Sequence, residues 1–288
     1  MSRFAVAGLA IPLCAALACA AAPASATPIL GATLATYAVL GASDVTCVAT
    51  CTIGGNLGSD PTAPTSPAAN YMFTSGSFQP GTQGTAQTEL DAAILAVNAG
   101  SADFVIADGD LDTYQSNNGS VMAPGVYDVG FKAINLAGDL ILDGGGSNIA
   151  VWKFRFDSSL ITSTTSNVSV QNVGDGSGVG IYWTTGSGAT INGPTFAGNV
   201  LAHSFISSDG SLTLSCGRLL AATENVTLIM DTISITGCMN DSNGYDQAGA
   251  NGNGNGNGNG TTVPEPGALA IFAFGLAGLG FARRRRAA

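Results

Sequence analysis

Three short apolar triplets, Ile181-Tyr182-Trp183, Val200-Leu201-Ala202 and Leu219-Leu220-Ala221, begin 19 residues apart, and this recurrence constrains the fold more than any other feature of the chain. Two further strand-like pieces follow each triplet. They are Ala189-Thr190-Ile191 and Thr195-Phe196-Ala197, then Phe205-Ile206-Ser207 and Leu212-Thr213-Leu214, then Val226-Thr227-Leu228 and Ile233-Ser234-Ile235. Gly, Asn, Asp and Ser mark the corners between them. Strands this short cannot bury an interior alone, but stacked periods cover one another's open edges and share one core. The expected class is therefore all-β, a parallel three-faced β-solenoid. An earlier, less regular coil runs from Val151-Trp152-Lys153-Phe154 through Leu160-Ile161-Thr162 to Val168-Ser169-Val170, with Gly174 to Gly180 as an insertion. A β-sandwich also suits short strands and turn signals, although sandwiches carry no such recurrence.

One stretch departs from the pattern. Between Thr85 and Ala99, the residues Ala86, Leu90, Ala93, Ile94 and Val97 recur at helical spacing, Glu89 and Asp91 occupy the early turns, and Gly100 stands at the end. This predicts one long helix over about 85–99, lying along the solenoid and covering one side. A membrane-active helix would need Lys or Arg on the polar face, and there is none.

Composition narrows the chemistry. With 40 Gly and only 10% charged residues, the chain is unsuited to charged helical architectures. All nineteen acidic residues lie between positions 27 and 266, against four basic ones, Lys132, Lys153, Arg155 and Arg218. Such a surface repels phosphate backbones, so nucleic acid is excluded as a partner. His203 is the only histidine, which rules out two-histidine metal centres within one chain and suits a strand end. Asp108-Gly109-Asp110-Leu111-Asp112 spaces carboxylates as a calcium loop does, but Thr113 and Gly119 stand where Gly and Glu are needed, so it reads as a solvated acidic loop. The glycines from 174 to 180 have no following helix and no Lys to meet a phosphate. No G-x-S-x-G elbow accompanies His203, and no cofactor or metal is expected. Paired carboxylates acting on polysaccharide remain a minor alternative, because their separation is spatial.

Both ends of the chain carry sorting features. Met1 to Ala26 places Arg3 before an apolar run and closes on Ala24-Ser25-Ala26, the pattern that signal peptidase accepts. A membrane anchor is the alternative, near the short limit for a span. At the other end, Val263-Pro264-Glu265-Pro266 precedes the apolar run Gly267 to Ala282 and then Arg283 to Arg286. The arginines would hold a short membrane segment over 267–282 with its basic end in the cytoplasm. The tail 263–288 resembles the PEP-CTERM sorting signal of Gram-negative bacteria, whose recognition and removal by an exosortase implies transient inner-membrane anchoring and delivery to the outer surface or extracellular matrix. A plain tail anchor is the alternative. Five Asn-Gly pairs from Asn251 to Gly260 suggest a tether, with a linker over 240–262. The body would then span 27–239.

The exported chain would keep Cys47, Cys51, Cys216 and Cys238, enough for two disulfides. Three pairings are possible. Proximity favours 47 with 51 and 216 with 238, and the second pair would clamp adjacent rungs because each cysteine follows the third face of successive coils. The spacing fits no zinc module.

Several segments together carry a family likeness: Leu34 to Ser43, Ile53 to Pro61, Pro124-Gly125-Val126-Tyr127, Gly138 to Asp143, Ile181-Tyr182-Trp183 and Asn199-Val200-Leu201-Ala202. Their order resembles that of the bacterial and fungal ice-binding proteins with a discontinuous β-solenoid and a lateral helix. The resemblance implies an N-terminal segment that pairs back into the solenoid out of sequence order, and one flat, Thr-rich face that binds ice. Such a face works by geometry. Rungs about 4.8 Å apart and alternate residues about 6.7 Å apart set hydroxyls and methyls on a rigid grid approximating repeats of an ice lattice. Each contact is weak, but many sites ordered in advance cost little entropy to engage.

Strong ice binders of that family carry T-A/G-x-T/N segments, which Ser187-Gly188-Ala189-Thr190 approximates. The candidate outward positions on the second face are Thr162, Thr190, Ser207 and Thr227, flanked by Thr164 and Ser187. Threonine also favours solvent-facing β positions without any ligand. The implied protein is non-enzymatic, secreted or held at the cell surface, with the ice crystal surface as partner and signal peptidase and exosortase acting during export. The alternative is a structural or adhesive matrix protein on the same scaffold, meeting matrix polysaccharide.

Overall fold

The computed structural model describes residues 29–59, 64–80, 83–238 and 243–244. The expected signal peptide, the Asn-Gly run, the membrane segment 267–282 and the sorting tail with Val263 to Pro266 lie outside those residues. Among the described residues no helix is long and apolar enough to cross a membrane.

Parallel strands build the body. The nine-stranded first sheet runs in the order Phe78–Gln79, Asn56–Ser59, Tyr37–Gly41, Arg218–Ala221, Asn199–Ala202, Gly180–Thr185, Val151–Phe156, Gly125–Val129 and Phe104–Ile106. The second sheet has five strands, Leu160–Ile161, Ala189–Ile191, Ile206–Ser208, Val226–Ile229 and Val45–Val48. The third comes in two pieces. Asp139–Asp143 pairs with Asn167–Gln171, and Thr213–Ser215, Thr232–Ser234, Cys51–Gly54 and Tyr71–Ser75 form a four-stranded run. Single bridges at Asn167, Thr195 and Thr213 join the two pieces. Between residues 151 and 234 the chain visits the first, second and third sheets in turn, so each strand pairs with its counterpart about one repeat later.

The N-terminal segment enters out of sequence order. Tyr37–Gly41, Val45–Val48 and Cys51–Gly54 pair with the three strands of the last period, one on each sheet. Buried Arg218 fastens this junction: its guanidinium donates to the Ala35 carbonyl at 2.8 Å and to Asn199 Oδ1 at 2.8 Å. Burial lowers its pKa to about 10, which leaves it charged at neutral pH.

Strands of the second and third sheets alternate between buried and outward residues, as expected where one side faces a core. The strands Gly180–Thr185 and Asn199–Ala202 are buried on both sides, because a helix covers the outside of the first sheet. That helix, α1, spans Gly84–Asn98. Its residues Ala86, Leu90, Ala93 and Val97 pack with Leu40, Tyr182, Leu201 and Leu220 in a second core outside the main one. At about 1.5 Å per residue it is long enough to bridge several rungs. Arg155 donates to the Asn98 and Gly100 carbonyls at 3.1 and 2.9 Å, and Lys153 to Ala96, satisfying groups at a helix C-terminus that would otherwise lack partners.

A second helix, α2 (Leu111–Asn117), replaces the acidic loop expected around Asp108 to Asp112. Asp110 is its N-cap, accepting from the Thr113 backbone at 2.9 Å and from the Thr113 hydroxyl at 2.8 Å, and it pairs with Lys132. The carboxylate therefore caps a helix instead of awaiting a cation.

Asn243 bridges Gly180, donates to the Val179 carbonyl at 2.8 Å and accepts from Ile181 at 2.9 Å, so a residue beyond the expected boundary at 239 also pairs with the first sheet. Gly244 lies so close to Gly198 that an added Cβ would stand 2.7 Å from the Gly198 Cα. The polar composition of this stretch hides backbone pairing, which no side-chain pattern reports.

Candidate functional site

The second sheet is where the expected site residues gather, and its register decides which of them share a column. Ile161, Thr190, Ser207, Thr227 and Thr46 are successive partners on the five stacked strands. All five are half-buried, while their neighbours Leu160, Ala189, Ile191, Ile206, Val226 and Leu228 are fully inside. Four consecutive rungs thus carry an outward hydroxyl. The hydroxyls associate in pairs, Thr190 with Ser207 at 3.1 Å and Thr46 with Thr227 at 3.1 Å, and the Asn225 amide donates to Thr227 at 2.9 Å.

Three of the six expected positions lie in this column, Thr190, Ser207 and Thr227. Thr162 does not. It is 1% exposed, and its hydroxyl accepts from the Asn192 backbone at 2.9 Å. Alternation along the strand puts Ile161 outward in its place. Thr164 is exposed in the turn beyond that strand. Ser187 is half-buried at the corner before the next one, where its carbonyl accepts from the Thr185 hydroxyl at 3.0 Å. Thr46 completes the column and was not among the candidates, because its strand precedes the repeats by more than a hundred residues; the only pointer was the implied return of the N-terminal segment.

The flanking columns are less uniform. Backbone bonds align Gly188, Phe205, Asn225 and Asp44 on one side. An added Cβ on Gly188 would stand 2.5 Å from the Phe205 ring, so the ring lies down on the glycine and is half-buried. On the other side Ile229 pairs with Val48, which is exposed. At the adjoining corner Asp231 is buried, its carboxylate accepting from Leu212 N and Ile229 N at 2.9 and 3.0 Å and from the Ser208 hydroxyl. Burial pushes its pKa up despite these donors.

The cysteines pair 47 with 51 and 216 with 238. His203 is exposed just past the strand Asn199–Ala202. Among the described residues no three acidic, histidine or cysteine side chains are grouped to hold a metal ion.

A protein of this class, parallel β-sheets with few helices and an uncharged hydroxyl column on a stacked sheet, has clear relatives. Residues 39–234 match the Ice-binding-like family, and residues 262–286 match the PEP-CTERM protein-sorting motif. The chain belongs to the Ice-binding-like family. An ice-binding protein of Nostoc sp. (strain HG1) is 32% identical over 221 residues, covering 75% of this chain and 76% of that protein. Among solved structures, the ice-binding protein of the Antarctic ascomycete Antarctomyces psychrotrophicus matches with a TM-score of 0.58 at 24% identity, over 71% of this chain and 97% of that one. One from an Antarctic biological consortium gives 0.60 at 24%, over 73% and 91%. A Shewanella frigidimarina ice-binding protein domain gives 0.55 at 20%, over 70% and 95%. At these identities the structures establish a shared fold.

Proposed function

We propose that the stacked periods form a three-faced solenoid, exported to the outer cell surface or the surrounding matrix, that binds ice through its second sheet and catalyses no reaction. The observation that carries this reading is the column Thr190, Ser207, Thr227 and Thr46, four outward hydroxyls held in register on parallel strands. A rigid row spaced at about 4.8 Å offers water a fixed set of hydrogen-bonding and methyl contacts, so a crystalline layer engages it with little ordering cost. The family membership and the sorting motif support the ligand and the destination. Export would pass through signal peptidase and an exosortase, with the tail as a transient inner-membrane anchor.

Purified protein tested for thermal hysteresis and for inhibition of ice recrystallisation checks the proposal, with activity above an inert control at tens of micromolar as the expected result. Thr190→Tyr with Thr227→Tyr should remove that activity and leave the melting temperature nearly unchanged. A parent protein no better than the control would sink it. Ile161 and Phe205, which interrupt the hydroxyl wall, favour the second reading in that event, a structural or adhesive matrix protein meeting polysaccharide.

A further inference from the structure

The third sheet carries a second hydroxyl array, more regular than the one on the second sheet. Thr195, Thr213, Thr232 and Thr52 are successive partners across four rungs. Two residues further along each strand, Ser215 pairs with Ser234, and Ser234 pairs with Gly54. The residues between these columns, Leu214, Ile233 and Ile53, are fully buried, so the Thr and Ser side chains point outward together. Thr195, Thr213 and Thr232 are exposed, whereas every hydroxyl in the second-sheet column is half-buried.

Hydrogen bonding separates the two walls further. On the second sheet the hydroxyls bond to one another in pairs. Among the described residues, the hydroxyls of Thr52, Thr213 and Thr232 bond to no protein group, which leaves their donor and both lone pairs to the solvent. No charged side chain stands in either column between Thr195 and Gly54, and no aromatic ring is available there to stack on a sugar. Both disulfides end on these strands: Cys51 precedes Thr52, and Cys216 follows Ser215. The Thr195 hydroxyl donates to Asn167 Oδ1 at 2.8 Å and Ser234 pairs with the Thr236 hydroxyl at 2.8 Å, so the array is uncharged, open to solvent at three of its threonines, two columns wide and covalently braced at its edges.

We infer that the third sheet is a second ice-contacting wall, with crystalline water as its ligand and the hydroxyls of Thr52, Thr195, Thr213, Thr232, Ser215 and Ser234 as its contacts. This rests on the proposed ice-binding function and assigns it to a further face. A grid with repeats of about 4.8 and 6.7 Å fixes two lattice directions where the single column on the second sheet fixes one. Two walls on different sides of one body would let the protein adsorb to more than one set of crystal planes.

The test compares variants of the intact chain. Thr213→Tyr with Thr232→Tyr adds bulk to the third sheet, Thr213→Val with Thr232→Val removes only the hydroxyls and keeps the β-branched shape, and Thr190→Tyr with Thr227→Tyr disturbs the second sheet alone. Labelled protein is adsorbed to a single-crystal ice hemisphere, and hysteresis and melting temperature are measured in parallel. The third-sheet Tyr pair should lose adsorption from some of the planes that the parent covers and lower hysteresis at least about twofold at unchanged melting temperature, with the Val pair intermediate. Third-sheet variants that behave as the parent, while the second-sheet pair is inactive, overturn the inference and leave the proposed function standing. A parent that neither adsorbs nor shows hysteresis overturns both.

Discussion

The Thr46 hydroxyl donates to Thr227 Oγ1 at 3.1 Å although 181 residues separate the two in sequence. The bond exists because the strand Val45–Val48 is laid beside Val226–Ile229, which adds a rung to the second sheet that the local repeat does not supply. The wall is thus assembled from both ends of the body, and its length depends on that insertion. Thr46→Tyr should then impair ice activity as strongly as Thr227→Tyr, with each variant's folding stability within about 0.5 kcal/mol of the parent, as is usual for half-exposed β positions. Hysteresis measured beside thermal melts checks this; an active Thr46→Tyr protein would shorten the working surface to the local repeats.

The 19-residue recurrence was enough to read the three strands of each late period and the partners Thr190, Ser207 and Thr227, because alternation and spacing report directly on which side of a strand a residue occupies. Thr162 failed for the same reason in reverse: its strand ends at Ile161, so one residue of phase moved it inside. The third-sheet grid was present in the sequence as Thr213-Leu214-Ser215 and Thr232-Ile233-Ser234, which keep the 19-residue interval. Thr52 and Thr46 were not legible in this way, since sequence proximity carries no information about an inserted segment. Nor were the corners. Ser211, Met230 and Ala49 take left-handed backbone conformations, with φ of 60, 53 and 66°, at the turns that lead from the second sheet to the third. Of these, Met230 and Ala49 are not residues that a turn pattern would select.

A column of rings runs through the core, Phe104 on Tyr127 at 4.6 Å, Tyr127 on Phe154 at 5.0 Å and Phe154 on Trp183 at 4.1 Å. Each belongs to a different rung of the first sheet, so the stack joins successive strands from inside. Phe154 is wholly buried between two partners, and truncation leaves a cavity that neither ring can fill. Phe154→Ala should cost about 3–5 kcal/mol, read from chemical denaturation, whereas Phe104→Ala, half-buried at the end of the stack, should cost less. Equal losses would mean that position in the stack and depth of burial do not set the cost of truncation.

The two disulfides close loops of very different length, with separations of 4 and 22 residues. If they act mainly on the unfolded chain, Cys216–Cys238 contributes about 3 kcal/mol and Cys47–Cys51 about 2. Cys216→Ser with Cys238→Ser should therefore lower the melting temperature more than the corresponding change at 47 and 51. Because both bonds brace the edges of the third sheet, each loss should also reduce ice activity at temperatures where the fold survives. Full activity without either bond would show that the strands hold the hydroxyls rigidly enough unaided.

Asp110 links pH to the stability of the segment around α2. Partial burial works against its charge, but the Lys132 ammonium and the two Thr113 donors outweigh that and hold its pKa down at about 2, from an ordinary 3.8. A carboxyl group depressed in the folded protein contributes stability that is fully present above its unfolded pKa and is lost as pH falls through the folded value. The contribution should therefore be intact at neutral pH and fade between about pH 4 and pH 2. Asp110→Ala removes the helix cap as well as the ion pair, so it should cost about 1 kcal/mol near pH 7. The gap between variant and parent should narrow steadily as the pH is brought to 2. Buried Asp231 bends the parent's curve the other way, because burial raises its pKa and its charged form is disfavoured as pH rises. Only the difference between the two proteins isolates Asp110, and melts collected across this range at fixed ionic strength measure it. A constant gap down to pH 2 would mean that the cap works through the Asp110 hydrogen-bonding geometry and not through its charge.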